Sequence, residues 1–111
     1  MPSPVLEVEP AALAALLLDK PGNVVLLDVR QDWEVELAPF PNAIHIPLAE
    51  LAARGPAELD HSRPTVVVCH HGVRSLHGAL LLKGAGFVDV KSLHGGTDLW
   101  ARSVDATMPR Y

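Results

Sequence analysis

The only cysteine of the chain, Cys69, lies where a run of β-branched residues gives way to a helical pattern. Residues 65–69 predict a strand, because an uninterrupted apolar run beside a helix breaker suits a strand that is buried on both faces. Residues 74–83 repeat their apolar side chains at helical spacing and predict a helix. Cys69 is therefore expected at the carboxyl end of a strand, on a tight loop that opens a helix, where open α/β sheets bind their ligands.

The predicted loop brings together several groups that favour a negatively charged sulfur. Its backbone N–H groups form an anion-binding nest, and the helix N-terminus adds about half a positive charge. Arg74 adds a full positive charge, and Gly72 permits left-handed backbone angles. Because such neighbours lower the pKa of a cysteine below its usual value of about 8.5, we predict that Cys69 is a partly exposed, reactive thiolate rather than an inert core residue. The residues expected to bind the substrate are His70, His71, Gly72, Val73, Arg74 and Ser75.

Four of these side chains leave more than one interpretation open. Arg74 either binds an anion or holds the loop. His70 and His71 are expected to be solvated; protonation below about pH 6.5 would add positive charge to the loop, and a proton-transfer role is the less favoured alternative. Ser75 either caps the helix, which we favour, or donates a hydrogen bond to the sulfur. The cysteine and the six histidines match no zinc spacing, so no metal site is predicted.

The elements that must position this loop alternate between strands and helices. Predicted strands cover residues 5–8, 24–29, 43–46, 65–69 and 87–93, and predicted helices cover residues 11–19, 32–36, 48–54, 74–83 and 97–101. Gly55 and Pro56 are expected to end the third helix. This alternation predicts a parallel five-stranded sheet with helices on both faces, which is a three-layer α/β/α domain. Trp33 and Trp100 are expected in the core.

Length and composition restrict the classes of protein that the chain can belong to. Its 111 residues, of which 49% are hydrophobic, fit a single domain spanning residues 1–111 with a core at about 5–103. A net charge of −4 argues against binding to nucleic acid or an anionic membrane. A lone cysteine excludes an internal disulfide. Residues 1–10 show no secretory signal and residues 13–18 are too short to span a bilayer, so we expect a cytoplasmic protein.

Four stretches of the chain, taken in order, resemble motifs of the rhodanese-like sulfurtransferases. The loop from Cys69 to Ser75 is similar to their active-site loop, in the form Cys-x-x-Gly-x-Arg. The other three stretches are residues 26–30 with Trp33 and Glu34, residues 43–48, and Gly95-Gly96 with Trp100, and the ending at residues 104–111 is typical of single-domain bacterial members. Residues 38–43 depart from the family pattern, because a usual histidine and a glycine are missing. Asn42 can still make that turn, since asparagine tolerates the left-handed conformation.

The resemblance implies both a fold and an activity. The fold is the rhodanese-like α/β domain with a five-stranded parallel sheet, and the activity is sulfur transfer through a persulfide on Cys69, with no other cofactor. The sulfur donor would be thiosulfate or a persulfide, and the acceptor a thiol or cyanide; a protein donor or acceptor is also possible. Asp28, Arg30 and Glu34 are expected at the same sheet edge as Cys69. The resemblance gives them structural roles beside the loop, which we favour over a simple local ion pair.

Two other classes of function remain open from the sequence. A phosphatase or arsenate reductase of the related cell-cycle type also uses a Cys…Arg loop. Only four residues separate Cys69 from Arg74, however, one fewer than in those enzymes, which leaves less room for a tetrahedral oxyanion. The other class is a non-catalytic binding or sensing module, or a persulfide carrier for a protein partner.

Overall fold

The computed structural model describes residues 6–111, so residue 5, where the first strand is predicted to begin, lies outside the described residues. Strands and helices alternate throughout the described range, as predicted. The elements are β1 (Glu7–Val8), α1 (Pro10–Asp19), β2 (Val25–Asp28), α2 (Asp32–Leu37), β3 (Ile44–His45), α3 (Leu48–Glu58), β4 (Thr65–Val68), α4 (Val73–Gly84), β5 (Val90–Leu93) and α5 (Gly96–Ser103). Several strands are shorter than predicted, because fewer residues pair in the sheet than the apolar pattern covers; β5, for example, begins at Val90 rather than at residue 87.

The five strands form one parallel sheet in the order β1-β5-β4-β2-β3. The central strand β4 is buried along its whole length, which explains why its sequence is an unbroken β-branched run. Asp28 at the end of β2 is in register with Val68 at the end of β4. Both strands therefore deliver the residues that follow them to the same edge of the sheet.

Alternate residues of β4 face two separate hydrophobic clusters, one on each side of the sheet. Val67 and Cys69 belong to the cluster covered by α3 and α4, which includes Leu51 and Leu82. Val66 and Val68 belong to the opposite cluster, which includes residues of α1 and α5 such as Trp100. The sheet with helices on both faces confirms the predicted α/β architecture.

The third helix does not end at Gly55 and Pro56, as the sequence predicted, but continues to Glu58. A proline inside a helix lacks an N–H donor and crowds the preceding turn, but here the turn after Pro56 is still closed, because the N–H of Leu59 donates to the carbonyl of Gly55 at 3.0 Å. Gly55 packs closely against Leu82 of α4, a contact that a larger side chain would obstruct. The helix therefore persists because it is packed against its neighbour.

Two smaller predictions have opposite outcomes. Asn42 adopts a φ of +62°, which confirms the left-handed turn predicted for the stretch that departs from the family pattern. Trp100 is buried as predicted, but the side chain of Trp33 is 56% exposed, so its assignment to the core was wrong. Trp33 lies in the first turn of α2, where its ring meets the edge of Tyr111 with centroids 5.6 Å apart instead of facing the sheet.

Candidate active site

The loop that holds Cys69 is the link between the end of β4 at Val68 and the start of α4 at Val73. Gly72 precedes the helix with a φ of +99°, as its predicted left-handed conformation requires. A Cβ atom at Gly72 would also lie 3.2 Å from the backbone nitrogen of Gly95. Both the backbone conformation and the lack of space therefore favour glycine at this position. The loop can therefore turn tightly enough to bring the first N–H groups of α4 back over the cysteine.

Two backbone N–H groups point at the sulfur of Cys69. The N–H of Gly72 donates to Sγ at 3.1 Å and the N–H of Ser75 donates at 3.2 Å. Donors of this kind stabilise a thiolate more than a thiol, because they compensate the negative charge. Cys69 is, however, only 1% exposed, which differs from the partly exposed setting that the sequence predicted. The sulfur lies beneath the loop, where its surroundings are set by the protein and not by water.

The hydroxyl of Ser75 contacts the sulfur and does not cap the helix, which corrects the interpretation favoured from the sequence. No side-chain hydrogen bond caps α4 at Gly72. Instead, Oγ of Ser75 lies 3.3 Å from Sγ of Cys69 and 2.6 Å from Oγ of Ser92. Both serines are fully buried. Ser92, on β5, was not identified from the sequence, because nothing local marks a strand serine as a partner of a residue 17 positions away.

The other face of the loop rests on the N-terminus of α5. The carbonyl of Cys69 accepts the N–H of Thr97 at 2.8 Å, and the carbonyl of His70 accepts the N–H of Asp98 at 3.1 Å. Gly96 makes this contact possible: it has a φ of +63°, and a Cβ atom there would lie 2.4 Å from the carbonyl oxygen of Cys69. The Gly95-Gly96 pair predicted to serve a turn therefore also fixes the active-site loop.

Arg74 and Glu34 form a bidentate ion pair that connects α4 to α2. Nη1 and Nη2 of Arg74 lie 2.5 and 2.9 Å from the two carboxylate oxygens of Glu34. Glu34 is buried, and the hydrogen bonds from Arg74 lower its pKa from 4.5 to about 2 against the opposing effect of burial. The predicted positive charge beside the loop is therefore present, but it is held in place by a carboxylate that the sequence had assigned only to structural support.

Asp28 and Arg30 form a second ion pair at the same edge of the sheet, as expected. Nε and Nη2 of Arg30 donate to the carboxylate of Asp28 at 3.0 and 2.7 Å, and Nη2 also donates to the carbonyl of Ala38. Arg30 is fully buried, so the pair is more than a weak surface contact. These interactions fix the segment that leads from β2 into α2, and with it the position of Glu34.

Tyr111 joins the two ion pairs and was missed in the sequence. Its hydroxyl accepts a hydrogen bond from Nη1 of Arg30 at 3.0 Å and donates one to Oε2 of Glu34 at 2.7 Å. The partners are 81 and 77 residues away in sequence. The resemblance had marked residues 104–111 as a typical ending, but it assigned them no role.

The two histidines of the loop differ from one another. His71 is exposed, as expected, but His70 is half-buried between the rings of His71 and Tyr111, each with its centroid 3.9 Å away. Its Nε2 is buried and has no hydrogen-bond partner within residues 6–111. Burial, and secondarily the neighbouring His71, lower the pKa of His70 below 6.5. The idea that both histidines add positive charge near pH 6 is therefore not supported for His70.

A cavity of about 330 Å³ lies beside Arg74, the residue that follows the loop by two positions. It is lined by Val29, Gln31, Pro47, Leu48, Ala49 and Arg74. A cavity of about 380 Å³ elsewhere contains residues such as Phe40 and Trp100 but no residue of the loop. Val73, next to Arg74, leaves 64% of its surface in solvent, so the loop presents an apolar side chain at the protein surface.

Two other structural findings concern the described part of the chain. Over residues 6–111, no group of three or more His, Cys, Asp or Glu side chains is arranged to hold a metal ion. Within the same range, none of the helices has the length and apolar character needed to cross a membrane.

Comparison with known proteins identifies the family. The rhodanese-like domain model matches residues 9–103. Thiosulfate sulfurtransferase GlpE of Pseudomonas syringae pv. syringae is 41% identical over 78 residues, which cover 70% of this chain and 73% of that protein. Adenylyltransferase and sulfurtransferase MOCS3 of Bos taurus is 32% identical over 114 residues, which cover 86% of this chain and 25% of that protein. A crystal structure of a rhodanese-like domain protein from Staphylococcus aureus superposes with a TM-score of 0.80 at 25% identity, covering 96% of this chain and 98% of that one.

The chain therefore belongs to the rhodanese-like domain family, as the four motifs indicated. Its sulfurtransferase relatives, together with the family match, support sulfurtransferase activity for this protein as well.

Replacing Gly96 with alanine tests whether α5 fixes the loop. We expect Gly96→Ala to lower kcat/KM for sulfur transfer by at least about tenfold, because the new Cβ would displace the carbonyls of Cys69 and His70. Gly86→Ala is the matched control: Gly86 also has a positive φ, +96°, but no atom lies within 4 Å of its would-be Cβ. The control should lose about 1 kcal/mol of stability and retain its activity. Equal effects of the two substitutions on activity would contradict the assigned role of Gly96.

Acid unfolding tests the ion pair of Glu34. A carboxyl whose pKa is lowered by folding stabilises the protein above its unfolded-state pKa, and this stabilisation is lost as the pH falls through the folded-state value. The native protein should therefore lose about 3 kcal/mol between pH 4.5 and pH 2 from this group, since its pKa falls from 4.5 to about 2. Glu34→Gln should be less stable at pH 7 and should lack this part of the pH dependence. Urea unfolding at several pH values measures both, with Glu36→Gln, an exposed residue of the same helix, as the control. A native-like pH profile in Glu34→Gln would refute the assignment.

Proposed function

We propose that this protein transfers a sulfane sulfur from thiosulfate, or from a low-molecular-weight persulfide, to a thiol or cyanide acceptor through a persulfide on Cys69. The observation that carries the proposal is the convergence of the N–H groups of Gly72 and Ser75 on the sulfur of the only cysteine. The GlpE relatives, which are named as thiosulfate sulfurtransferases, support thiosulfate as the donor. No further cofactor is needed, because the cysteine itself carries the sulfur between the two half-reactions.

In the first half-reaction the Cys69 thiolate attacks the outer sulfur of thiosulfate. A new S–S bond forms at Sγ, the S–S bond within thiosulfate breaks, and sulfite leaves with the bonding electron pair. In the second half-reaction a thiolate or cyanide attacks the outer sulfur of the persulfide, and Cys69 leaves as a thiolate. No net oxidation of the protein occurs, and the loop N–H groups stabilise the sulfur anion at each stage, in the manner of an oxyanion hole.

Arg74 is proposed to attract the anionic donor. Its side chain is 35% exposed and borders the cavity beside the loop, so a small anion can reach it from solvent. Glu34 holds the guanidinium in a fixed orientation but also offsets much of its charge. Arg74 therefore acts on donor binding more than on the chemical step.

A protein donor or acceptor is the second candidate, and two exposed apolar side chains favour it. Val73 and Trp33 are 64% and 56% exposed, and both belong to elements that contribute polar groups to the site. Contiguous apolar patches at a surface mark contacts with other proteins, and these two side chains would contribute to such a contact. The matching segment of the bovine relative makes up a quarter of a longer chain, in keeping with sulfur transfer close to other protein groups. We place the reaction in the cytoplasm, where reducing conditions keep a lone cysteine available.

Mass spectrometry tests the persulfide directly. Brief incubation with thiosulfate should add one sulfur atom to the native protein, and cyanide should then remove it. Cys69→Ser, which keeps the size of the side chain but replaces the nucleophile, should gain nothing. If neither thiosulfate nor glutathione persulfide loads Cys69, the enzymatic proposal fails and a non-catalytic binding module becomes the leading interpretation. Turnover of a small aryl phosphate would instead support the phosphatase class.

Substitutions of Arg74 test its role in donor binding. Arg74→Gln should raise KM for thiosulfate more than tenfold, because it removes a charged contact, and should change kcat little. Arg74→Lys keeps the charge but cannot pair with both oxygens of Glu34, so it should recover only part of the loss. Steady-state kinetics at low ionic strength measure both variants. An unchanged kcat/KM in Arg74→Gln would remove Arg74 from the donor site.

A further inference from the structure

Tyr111 connects the two ion pairs at the edge of the sheet into one chain of interactions. The order of groups is Asp28 carboxylate, Arg30 guanidinium, Tyr111 hydroxyl, Glu34 carboxylate and Arg74 guanidinium. The phenol is the only neutral member, and its hydroxyl has a donor on one side and an acceptor on the other. The hydroxyl therefore uses both of its hydrogen-bonding functions: it accepts from Arg30 and donates to Glu34.

The two oxygens of Glu34 are occupied differently. Oε1 accepts from Nη1 of Arg74 and from the N–H of Gln31, which lies in the same local turn. Oε2 accepts from Nη2 of Arg74 and from the hydroxyl of Tyr111, its one contact with the segment at residues 104–111. The Tyr111 hydroxyl therefore opposes rotation of the carboxylate that aligns Arg74.

The ring of Tyr111 makes a second contact with the site. It stacks on His70, the residue next to Cys69, with an interplanar angle of 10°. The segment that carries it is anchored just before Tyr111, because Met108 is buried and Nε of Arg110 lies 3.0 Å from Asp98. The position of the ring is thus set by the core and by α5, and not by the loop that it contacts.

We propose that Tyr111 is a positioning residue for sulfur transfer: its hydroxyl fixes the Glu34–Arg74 pair for donor binding, and its ring packs on His70 and so restrains the active-site loop. The proposal rests on the proposed function, because Arg74 is the group assigned to the anionic donor. Tyr111 does not contact the sulfur, whose N–H donors come from Gly72 and Ser75. Its hydroxyl therefore acts on KM, and the chemical step is left intact.

Tyr111→Phe isolates the hydroxyl, because it retains the ring. We expect KM for thiosulfate to rise roughly fivefold, the effect of one lost hydrogen bond, while kcat stays within about twofold of the native value. Arg102→Gln is the control: it removes an exposed arginine that also pairs with Asp98 but lies outside the segment that carries Tyr111, and it should leave both constants unchanged. A purely structural role would lower the unfolding temperature of Tyr111→Phe without changing KM, and that result would overturn the proposal for the hydroxyl.

Tyr111→Leu isolates the ring, and its readout does not depend on turnover. The imidazole of His70, followed by NMR, should titrate below 6.5 in the native protein and in Tyr111→Phe. In Tyr111→Leu its pKa should rise towards the ordinary value, because loss of the ring lets water reach the imidazole. An unchanged His70 titration in Tyr111→Leu would overturn the proposal for the ring. A native protein that never takes up sulfur from thiosulfate would refute the proposed function instead, and the titration would still decide the role of the ring.

Discussion

The convergence of two backbone N–H groups on the sulfur of Cys69 is the constraint on which the rest of the site depends. Such convergence requires a very tight loop, and the loop requires a left-handed Gly72 at the start of α4. The carbonyls on the outer side of the same loop must find other donors, and the N-terminus of α5 supplies them. One side of the loop thus donates hydrogen bonds to the sulfur, and the carbonyls on the other side accept hydrogen bonds from a second helix. The parallel sheet makes this possible, because β4 and β5 end at the same edge.

The electrostatic character of the site is local and does not follow from the net charge. The chain carries a formal charge of −4, yet two arginines and the N-terminus of a helix surround the edge of the sheet near Cys69. Each arginine is held by a carboxylate, so the ion pairs contribute orientation as well as charge. Buried pairs of this kind are costly to desolvate, and replacement by apolar groups often costs little stability. Loss of one partner alone is destabilising, because it leaves a buried charge unpaired, and the same pairing also fixes the orientation of Arg74 beside the loop.

The buried hydroxyls of Ser75 and Ser92 form a short hydrogen-bonded chain that ends at the sulfur. The Ser75 hydroxyl can accept a hydrogen bond from the thiol or donate one to a thiolate, because a hydroxyl has both functions. Its contact with Ser92 gives it a partner in either state. The two serine hydroxyls beside the sulfur are therefore hydrogen-bonded in either arrangement, as buried polar groups generally are.

Periodicity and local chemistry determined the class of fold, the position of Cys69 at the end of a buried strand, and the left-handed turns at Gly72 and Asn42. Each of these depends on residues that are neighbours in sequence, so the pattern of apolar and turn-forming residues was sufficient. Asp28, Arg30 and Glu34 were also placed at the correct edge, because parallel strands bring their carboxyl ends together.

Only the tertiary structure decided how the groups at that edge are paired. The sequence could not assign Glu34 to Arg74, Ser92 to Ser75, or Tyr111 to Arg30, since these partners are between 17 and 81 residues apart. It also misjudged the end of α3 and the exposure of Trp33, because packing against α4 and contact with Tyr111 outweigh local preferences there. The sequence by itself thus specified the place of Cys69 and the loop that holds it, whereas the alignment of charge around that loop arises from contacts that exist only once the sheet and its helices have assembled.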